Sequence, residues 1–230
     1  GCEVEVFETR GGWVNVQTAD GIAGWMPKGR LSEPTTKPAE VIPGDDYVPA
    51  PLTGDKVSLV WEQVDWRNPD TSTIGPMPGL NVISPTWFRL GETPGEVENY
   101  ADARYVSWAH SRGYKVWALF SNSFELQRTR TVLRNSDLRD KVISQILVYA
   151  KMYSLDGINL DFENVYQEDA PYLTQFVREI TPLLHEAGLT VSMDVTVKSK
   201  SPTWSLCYER PRLAAVLDYM MLMAYDQYAA

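Results

Sequence analysis

The sequence predicts an α/β domain built on a parallel sheet, preceded by a small all-β segment and a proline-rich link. Three observations carry this. Strand-like and helix-like stretches alternate from residue 56 to the end of the 230-residue chain. Hairpin signals are confined to the first 33 residues. Between the two lies a run in which prolines recur at positions 34, 38, 43, 49 and 51. Repeated β-then-α units imply a parallel sheet, either open and doubly wound or closed into a (β/α)8 barrel.

Residues 1–33 read as short strands around Val4 and Val6, Trp13 to Val16, and Ile22 to Met26. Gly11-Gly12 and Asp20-Gly21 divide them, and an Asp-Gly pair between β-formers is a hairpin signal. The run GGWVNVQTADGIAGWMPKGRL resembles the closing half of a bacterial SH3-like domain. Such modules accompany cell-wall enzymes; a β spacer without a ligand is the plainer reading. Residues 34–55, rich in Pro with Thr, Gly and Asp, form an extended linker.

After the linker the strands fall at Lys56–Val64, Leu80–Pro85, Lys115–Ser121, Gly157–Glu163, Thr190–Val197 and Tyr219–Tyr225. Helices are expected over Val97–Arg112, over Asp137–Tyr153 behind a Ser136 cap, and over Pro171–Ala187, ending at Gly188. No Gly-rich phosphate loop follows any strand, which disfavours a nucleotide-binding version.

Composition excludes several functions. The net charge is −9 with no basic cluster, which argues against nucleic acid. Arg128, Arg130 and Arg134 read as a solvated loop or helix face. No apolar run reaches the roughly 18 residues of a membrane span. The two cysteines, Cys2 and Cys207, read as unpaired or buried thiols, and the two histidines, His110 and His185, as surface residues on helices. The reading calls for no metal and no cofactor, so a hydrolase here would work with carboxylates. Eight Trp and twelve Tyr suit a cleft that stacks sugar rings, though a packed core uses them too.

The most informative stretch is Asp156-Gly157-Ile158-Asn159-Leu160-Asp161-Phe162-Glu163. Ile158, Leu160 and Phe162 share one face of a strand; Asn159, Asp161 and Glu163 share the other. In a barrel the polar row would line the interior and rise to the C-terminal mouth, where such barrels keep their chemistry. Asp194 lies on a similar polar face with Ser192 and Thr196, either lining a site or serving a buried network. Trp87 and Asn122 end their strands where loops bind ligand, or pack the core.

The octet resembles the signature Asp-Gly-x-Asp-x-Asp-x-Glu of family 18 glycoside hydrolases. Leu222-Met223-Ala224-Tyr225-Asp226 is similar to that family's sixth-strand Met-x-Tyr-Asp motif. Val60-Trp61-Glu62-Gln63-Val64, Ser84-Pro85-Thr86-Trp87-Phe88 and Trp204-Ser205-Leu206-Cys207-Tyr208 resemble its spore-cortex and cell-wall lytic branch. The resemblance runs from about residue 56 to 230 and implies a (β/α)8 TIM barrel of which strands one to six are covered. Both ends then read as cuts through domains of a longer protein.

The resemblance also implies a mechanism. Glu163 would protonate the leaving glycosidic oxygen, and the substrate's own 2-acetamido oxygen would attack the anomeric carbon. Asp161 would hold the acetamido N–H, and Tyr225 would hydrogen-bond its oxygen. Asn159, Met223, Asp226, Asp194, Trp87 and Asn122 would bind the sugar. The expected partner is an N-acetylated polysaccharide, peptidoglycan before chitin oligomers, and the expected place is extracellular or cell-wall associated, including the spore. Two other readings stay open, a non-catalytic glycan-binding barrel and a wall-anchoring protein. The family's inner Asp is Asn159 here. Asn159 is expected to hydrogen-bond Asp161, and Asp161, freed of a like-charged neighbour on its strand, to ionise more easily.

Overall fold

A computed structural model describes residues 3–18, 23–32 and 56–225. Val14 and Val16 turn inward while Trp13 stays half exposed, the alternation of a sheet with one covered face. They lie on β2 (Trp13–Thr18), the middle strand of an antiparallel sheet with β1 (Val4–Arg10) and β3 (Ala23–Pro27). Gly11, at a φ of +56°, makes the tight first turn. The Asp20-Gly21 turn and the 34–55 linker lie outside the described residues. The chain divides into two compact units, Gly1–Asp46 and Tyr47–Ala230.

In the second unit the sheet strands are β4 (Leu59–Glu62), β5 (Val82–Pro85), β8 (Lys115–Ser121), β9 (Gly157–Asp161), β10 (Thr190–Thr196) and β11 (Tyr219–Met223). They lie side by side in that order, every pair parallel. A short hairpin, β6 (Phe88–Leu90) and β7 (Val97–Asn99), adds to the edge of β8 beyond the end of β5. The crossovers carry α1 (Ala103–Ser111), α2 (Leu126–Leu133), α3 (Ser136–Tyr153), α4 (Ala170–Glu186) and α5 (Arg210–Ala214).

This sheet is curled, and its side chains prove it. Four strand spacings separate β4 from β10, about 19 Å on a flat sheet. Yet Trp61 on β4 donates its indole N–H to Asp194 on β10 at 3.1 Å. Trp117 on β8 stacks on Tyr219 of β11, with centroids 5.4 Å apart. Only a sheet closing toward a barrel brings such residues together. Strands β5, β8 and β9 are buried on both faces, as a parallel sheet requires. On the helical side Phe162 stacks on Phe176 of α4 at 5.4 Å and meets Phe120 edge-on at 5.3 Å.

The foot of the sheet is stitched by one repeated device. Asn81, just ahead of β5, accepts from Ser58 N (2.8 Å). Asp156, just ahead of β9, accepts from Val116 N (2.8 Å), and Asp218, just ahead of β11, from Val191 N (2.7 Å). Each side chain satisfies a backbone donor at the start of the neighbouring strand. Gly157 follows because a Cβ there would stand 2.6 Å from both the Trp117 ring and the Thr190 carbonyl.

Four local expectations need correction. Val97–Asn99 is a strand, because α1 cannot start before Asp102, whose side chain caps Arg104 N. The cap of α3 is Asn135 rather than Ser136, accepting from Leu138 N at 3.2 Å. Arg130 on α2 and Arg134 at its C-cap are anchors: their Nε atoms bind the two oxygens of buried Asp169 at 2.8 and 2.6 Å. His185 is largely buried against Asp218 (3.1 Å), while His110 meets Asp156 at 2.7 Å. Cys207 is a free, buried thiol that burial pushes up to about 11; Cys2 lies outside the described residues.

Candidate active site

Strand β9 runs outward through Asn159 and Asp161 and delivers Glu163 just past its last hydrogen-bonded residue. Register sets the neighbours: Asn159 pairs with Leu119 of β8 and Ser192 of β10, and Asp161 with Ser121. Paired residues of a parallel sheet share a face, so Ser192, Asp194 and Thr196 join the polar row, as do Tyr219, Met221 and Met223 of β11.

The innermost layer is a hydrogen-bond chain. Ser192 Oγ donates to Asn159 Oδ1 at 2.6 Å, Asn159 Nδ2 donates to Asp194 Oδ2 at 2.7 Å, and Trp61 donates to that same oxygen. Above it Asp161, 9% exposed, stands beside half-buried Glu163, whose side chain interacts with it. Asp161 Oδ1 and Asp194 Oδ1 are buried without a hydrogen-bond partner among the described residues.

Burial first, then the charge of Asp194, pushes the Asp161 carboxyl well above the usual carboxylate range. Burial likewise raises Asp194 to about 7, against the opposing pull of its Asn159 and Trp61 donors. This overturns two expectations. Asn159 bonds Asp194 and not Asp161, and Asp161 does not ionise more easily. The like-charged neighbour missing from β9 stands on β10.

The backbone that carries Glu163 is held from several sides. Asn122 accepts from Glu163 N at 3.1 Å and donates to Glu163 O at 2.7 Å. Its Nδ2 also reaches Thr129 Oγ1 at 2.9 Å. Tyr208 donates its hydroxyl to Phe162 O at 3.0 Å, and Val165 N donates to Thr203 O at 2.9 Å. Asn164 Nδ2 donates to Phe124 O at 3.0 Å. Ser123, Phe124 and Asn164 all adopt positive φ (59°, 57° and 50°), a conformation that costs non-glycine residues on the order of 1–3 kcal/mol each. Such strain persists where a structure over-determines it, and it collects here beside Glu163.

Each expected site residue can now be placed. Glu163, Asp161, Asn159 and Asp194 form one cluster. Met223 is buried on the same face, and Tyr225 is exposed, its ring edge-on to Trp61 at 6.1 Å. Asp226 lies outside the described residues. Trp87, Asn122, Asn159 and Asp194 differ from the ligand-binding expectation, for all four are buried with at most 1% exposure. Trp87 donates its indole N–H to Asn68 Oδ1 (2.6 Å) within the core, and Asn122 is a clamp on Glu163. Sequence reasoning gave no site role to Trp61, Tyr208 or the exposed ring pair Phe124–Trp204, with centroids 6.1 Å apart. Trp61, Trp204 and Tyr208 stood out only within stretches that carry the family resemblance, and Phe124 only as an aromatic residue just beyond the end of β8.

The model for glycosyl hydrolases family 18 matches residues 87–230, well over half of the chain. The chain belongs to glycosyl hydrolase family 18. The family 18 domain is 26% identical over 158 residues to the uncharacterized glycosylase YvbX of Bacillus subtilis, covering 65% of this chain and 46% of that protein. It is 28% identical over 109 residues to the cortical fragment-lytic enzyme of Bacillus anthracis, covering 46% of this chain and 25% of that enzyme. The crystal structure of the putative sporulation-specific glycosylase ydhD from Bacillus subtilis superposes with a TM-score of 0.60 at 25% identity, covering 64% of this chain and 50% of that one. The chain thus spans less than half the length of these two curated relatives. No helix among the described residues is long and apolar enough to cross a membrane.

Proposed function

We propose that this family 18 domain hydrolyses β-1,4-linked glycans containing N-acetylglucosamine, with Glu163 as the acid. The observation that carries the reading is the carboxyl row itself, half-buried Glu163 beside Asp161 and buried Asp194, with burial pushing the Asp161 carboxyl well above the usual range. Carboxyl groups crowded in a buried site do not all ionise together, so a proton is retained among them, and an acid catalyst must hold a proton at working pH. Glu163 gives that proton to the leaving oxygen. The substrate's acetamido oxygen attacks the anomeric carbon from the other face, so the configuration is retained over two steps. Asp161 accepts the acetamido N–H and stabilises the positive charge of the cyclic intermediate. Tyr225, at the end of β11, holds the acetamido oxygen. Met223 and Asp226 complete the pocket.

Peptidoglycan is the favoured substrate and the cell wall or spore the favoured place. The lytic enzyme among the relatives and the SH3-like pattern of residues 1–33 support both. The exposed Phe124–Trp204 pair, tied by Asn164 to the turn after Glu163, offers a platform for a further sugar ring.

Turnover of intact peptidoglycan and of chitin oligomers by the wild-type protein and by Glu163→Gln tests the reading. Gln keeps the shape and cannot supply the proton, so turnover should fall by at least about 10²–10⁴ while glycan binding stays within a few-fold. A variant that cleaves at a rate near wild type would remove Glu163 from the role.

A further inference from the structure

The small N-terminal sheet has one face that its own core does not use. Val14 and Val16 of β2 turn to the buried face, with half-buried Met26 of β3 opposite Val14. Directly opposed residues of an antiparallel pair share a face, so the register fixes what stands on the other side. One rung there is Arg10–Trp13–Pro27, and the next is Glu8–Asn15–Trp25. Trp13 is 53% exposed and Trp25 43%. They are diagonal neighbours across β2 and β3, about 7–8 Å apart in the backbone, so one extended ligand can meet both. Arg10 reaches over the middle strand and sets its guanidinium carbon 5.7 Å from the centre of the Trp25 ring. Its Nε donates to Glu8 at 2.7 Å, which steadies the side chain on that face.

The face is also polarised. At its Gly11-Gly12 end Arg10 is joined by Lys28 and Arg30 of the turn after β3, which Lys28 N ties to Gly12 O at 2.8 Å. Both residues are exposed, while the acid Glu3 stands just ahead of β1, at the opposite end. Three cations at one end of a sheet are a local exception in a chain of net charge −9. Two outward Trp rings flanked by cations do nothing for the packing of this sheet. Exposed aromatic surface of this kind marks a contact with a partner.

We propose that the Trp13–Trp25 face binds a carboxylate-bearing glycan, with sugar faces on the rings and carboxylates at Arg10, Lys28 and Arg30. Charge selects the partner. Chitin is uncharged, whereas the sugars and peptide stems of peptidoglycan carry carboxylates. Asn15, in the rung of Trp25, adds an uncharged amide that suits sugar hydroxyl and N-acetyl groups. The choice of polymer rests on the reading of the family 18 domain as a peptidoglycan hydrolase. A second attachment to the same polymer keeps the chain concentrated on it and leaves the chemistry at Glu163 untouched.

Co-sedimentation of the full chain with peptidoglycan sacculi freed of phosphate polymers, and with chitin beads, tests the proposal. The wild type should be retained on sacculi and released as salt rises, because exposed charges are screened. Retention on chitin should be weaker and insensitive to salt. Trp13→Ala and Trp25→Ala should each weaken binding to sacculi about tenfold, the scale of an aromatic anchor. Lys28→Gln combined with Arg30→Gln should flatten the salt response. Unchanged sacculus binding in folded Trp variants, or an unchanged salt response in the Lys28 and Arg30 double variant, would overturn the proposal. So would equal retention on chitin, binding that needs the phosphate polymers, or full competition by a free stem peptide, which would make the ligand a peptide. If the Trp variants do not fold, the double variant decides, since its substitutions lie outside the strands. Turnover is measured separately. A wild type that binds sacculi through this face and cleaves no glycan defeats the proposed function and leaves this inference standing.

Discussion

Asn122 turns both ends of its side-chain amide to the residue that follows Phe162, and its Nδ2 also reaches Thr129. It holds both backbone groups of Glu163 and so fixes the height and direction of that side chain above the sheet. Asn122→Ala leaves a buried N–H and carbonyl without partners, which should cost about 2–3 kcal/mol of stability. A small misplacement of a catalytic group is amplified in the rate, so kcat should fall about 10–100-fold with KM within a few-fold. Denaturant melts and steady-state kinetics on the same preparation check both numbers; a stable variant with unchanged kcat would make the clamp incidental. The sequence made Asn122 visible as a polar residue at a strand end but not its role. Its partners lie seven and 41 residues away, and no spacing rule links them. The same is true of Asp194. Alternation assigned it to the polar face of its strand, yet only the pairing of β9 with β10 brings it to Asn159.

The turn after β8 and the turn after β9 act as one unit. Phe124 and Trp204 meet above it, both part exposed, and three left-handed residues hold the geometry. Alanine at Phe124 or Trp204 removes apolar surface that would cover a sugar face, on the order of 50 Å², or about 1.4 kcal/mol. KM for long glycans should then rise about tenfold, while hydrolysis of short substrates that do not reach the pair changes little. Equal effects on long and short substrates would place the rings elsewhere in the reaction. Each of the six expected sheet strands overlaps an observed one, because their apolar runs are long and bounded by turn residues. Hairpin β6–β7 went unread because three-residue strands are too short for a period, and Val97 fell into phase with the apolar side of α1. Helix α2 was unread because its face toward the core is small, with Thr129, Val132 and Leu133 buried among charged neighbours.

At the scale of the molecule, buried acids couple folding to pH. The folded Asp194 carboxyl titrates near 7, above its unfolded value, and Asp161 is displaced in the same direction. The folded state therefore holds protons that the unfolded chain releases from about pH 4 upward. This contribution to stability is complete below that value and is lost as pH rises through about 7. Urea midpoints of the wild type should fall between pH 5 and pH 8, and Asp194→Asn should flatten the slope; a wild type that gains stability over this window would contradict the assignment. Aspartate also appears at the opposite end of the sheet with the reverse character. At the foot, Asp156 is held by His110, Lys115 and Val116 N, and Asp218 by His185 and Val191 N, so each negative charge there has donors on more than one side. Satisfied acids lock the strands in register at one end, and donor-poor acids are kept reactive at the other. Frame and chemistry are thus separable parts. A library that randomises the loops leaving the strand tips should yield folded proteins at a high rate, whereas the same diversity planted at Asn81, Asp156 and Asp218 should yield few. For an engineer, the lower rim is the chassis and the upper rim the exchangeable tool.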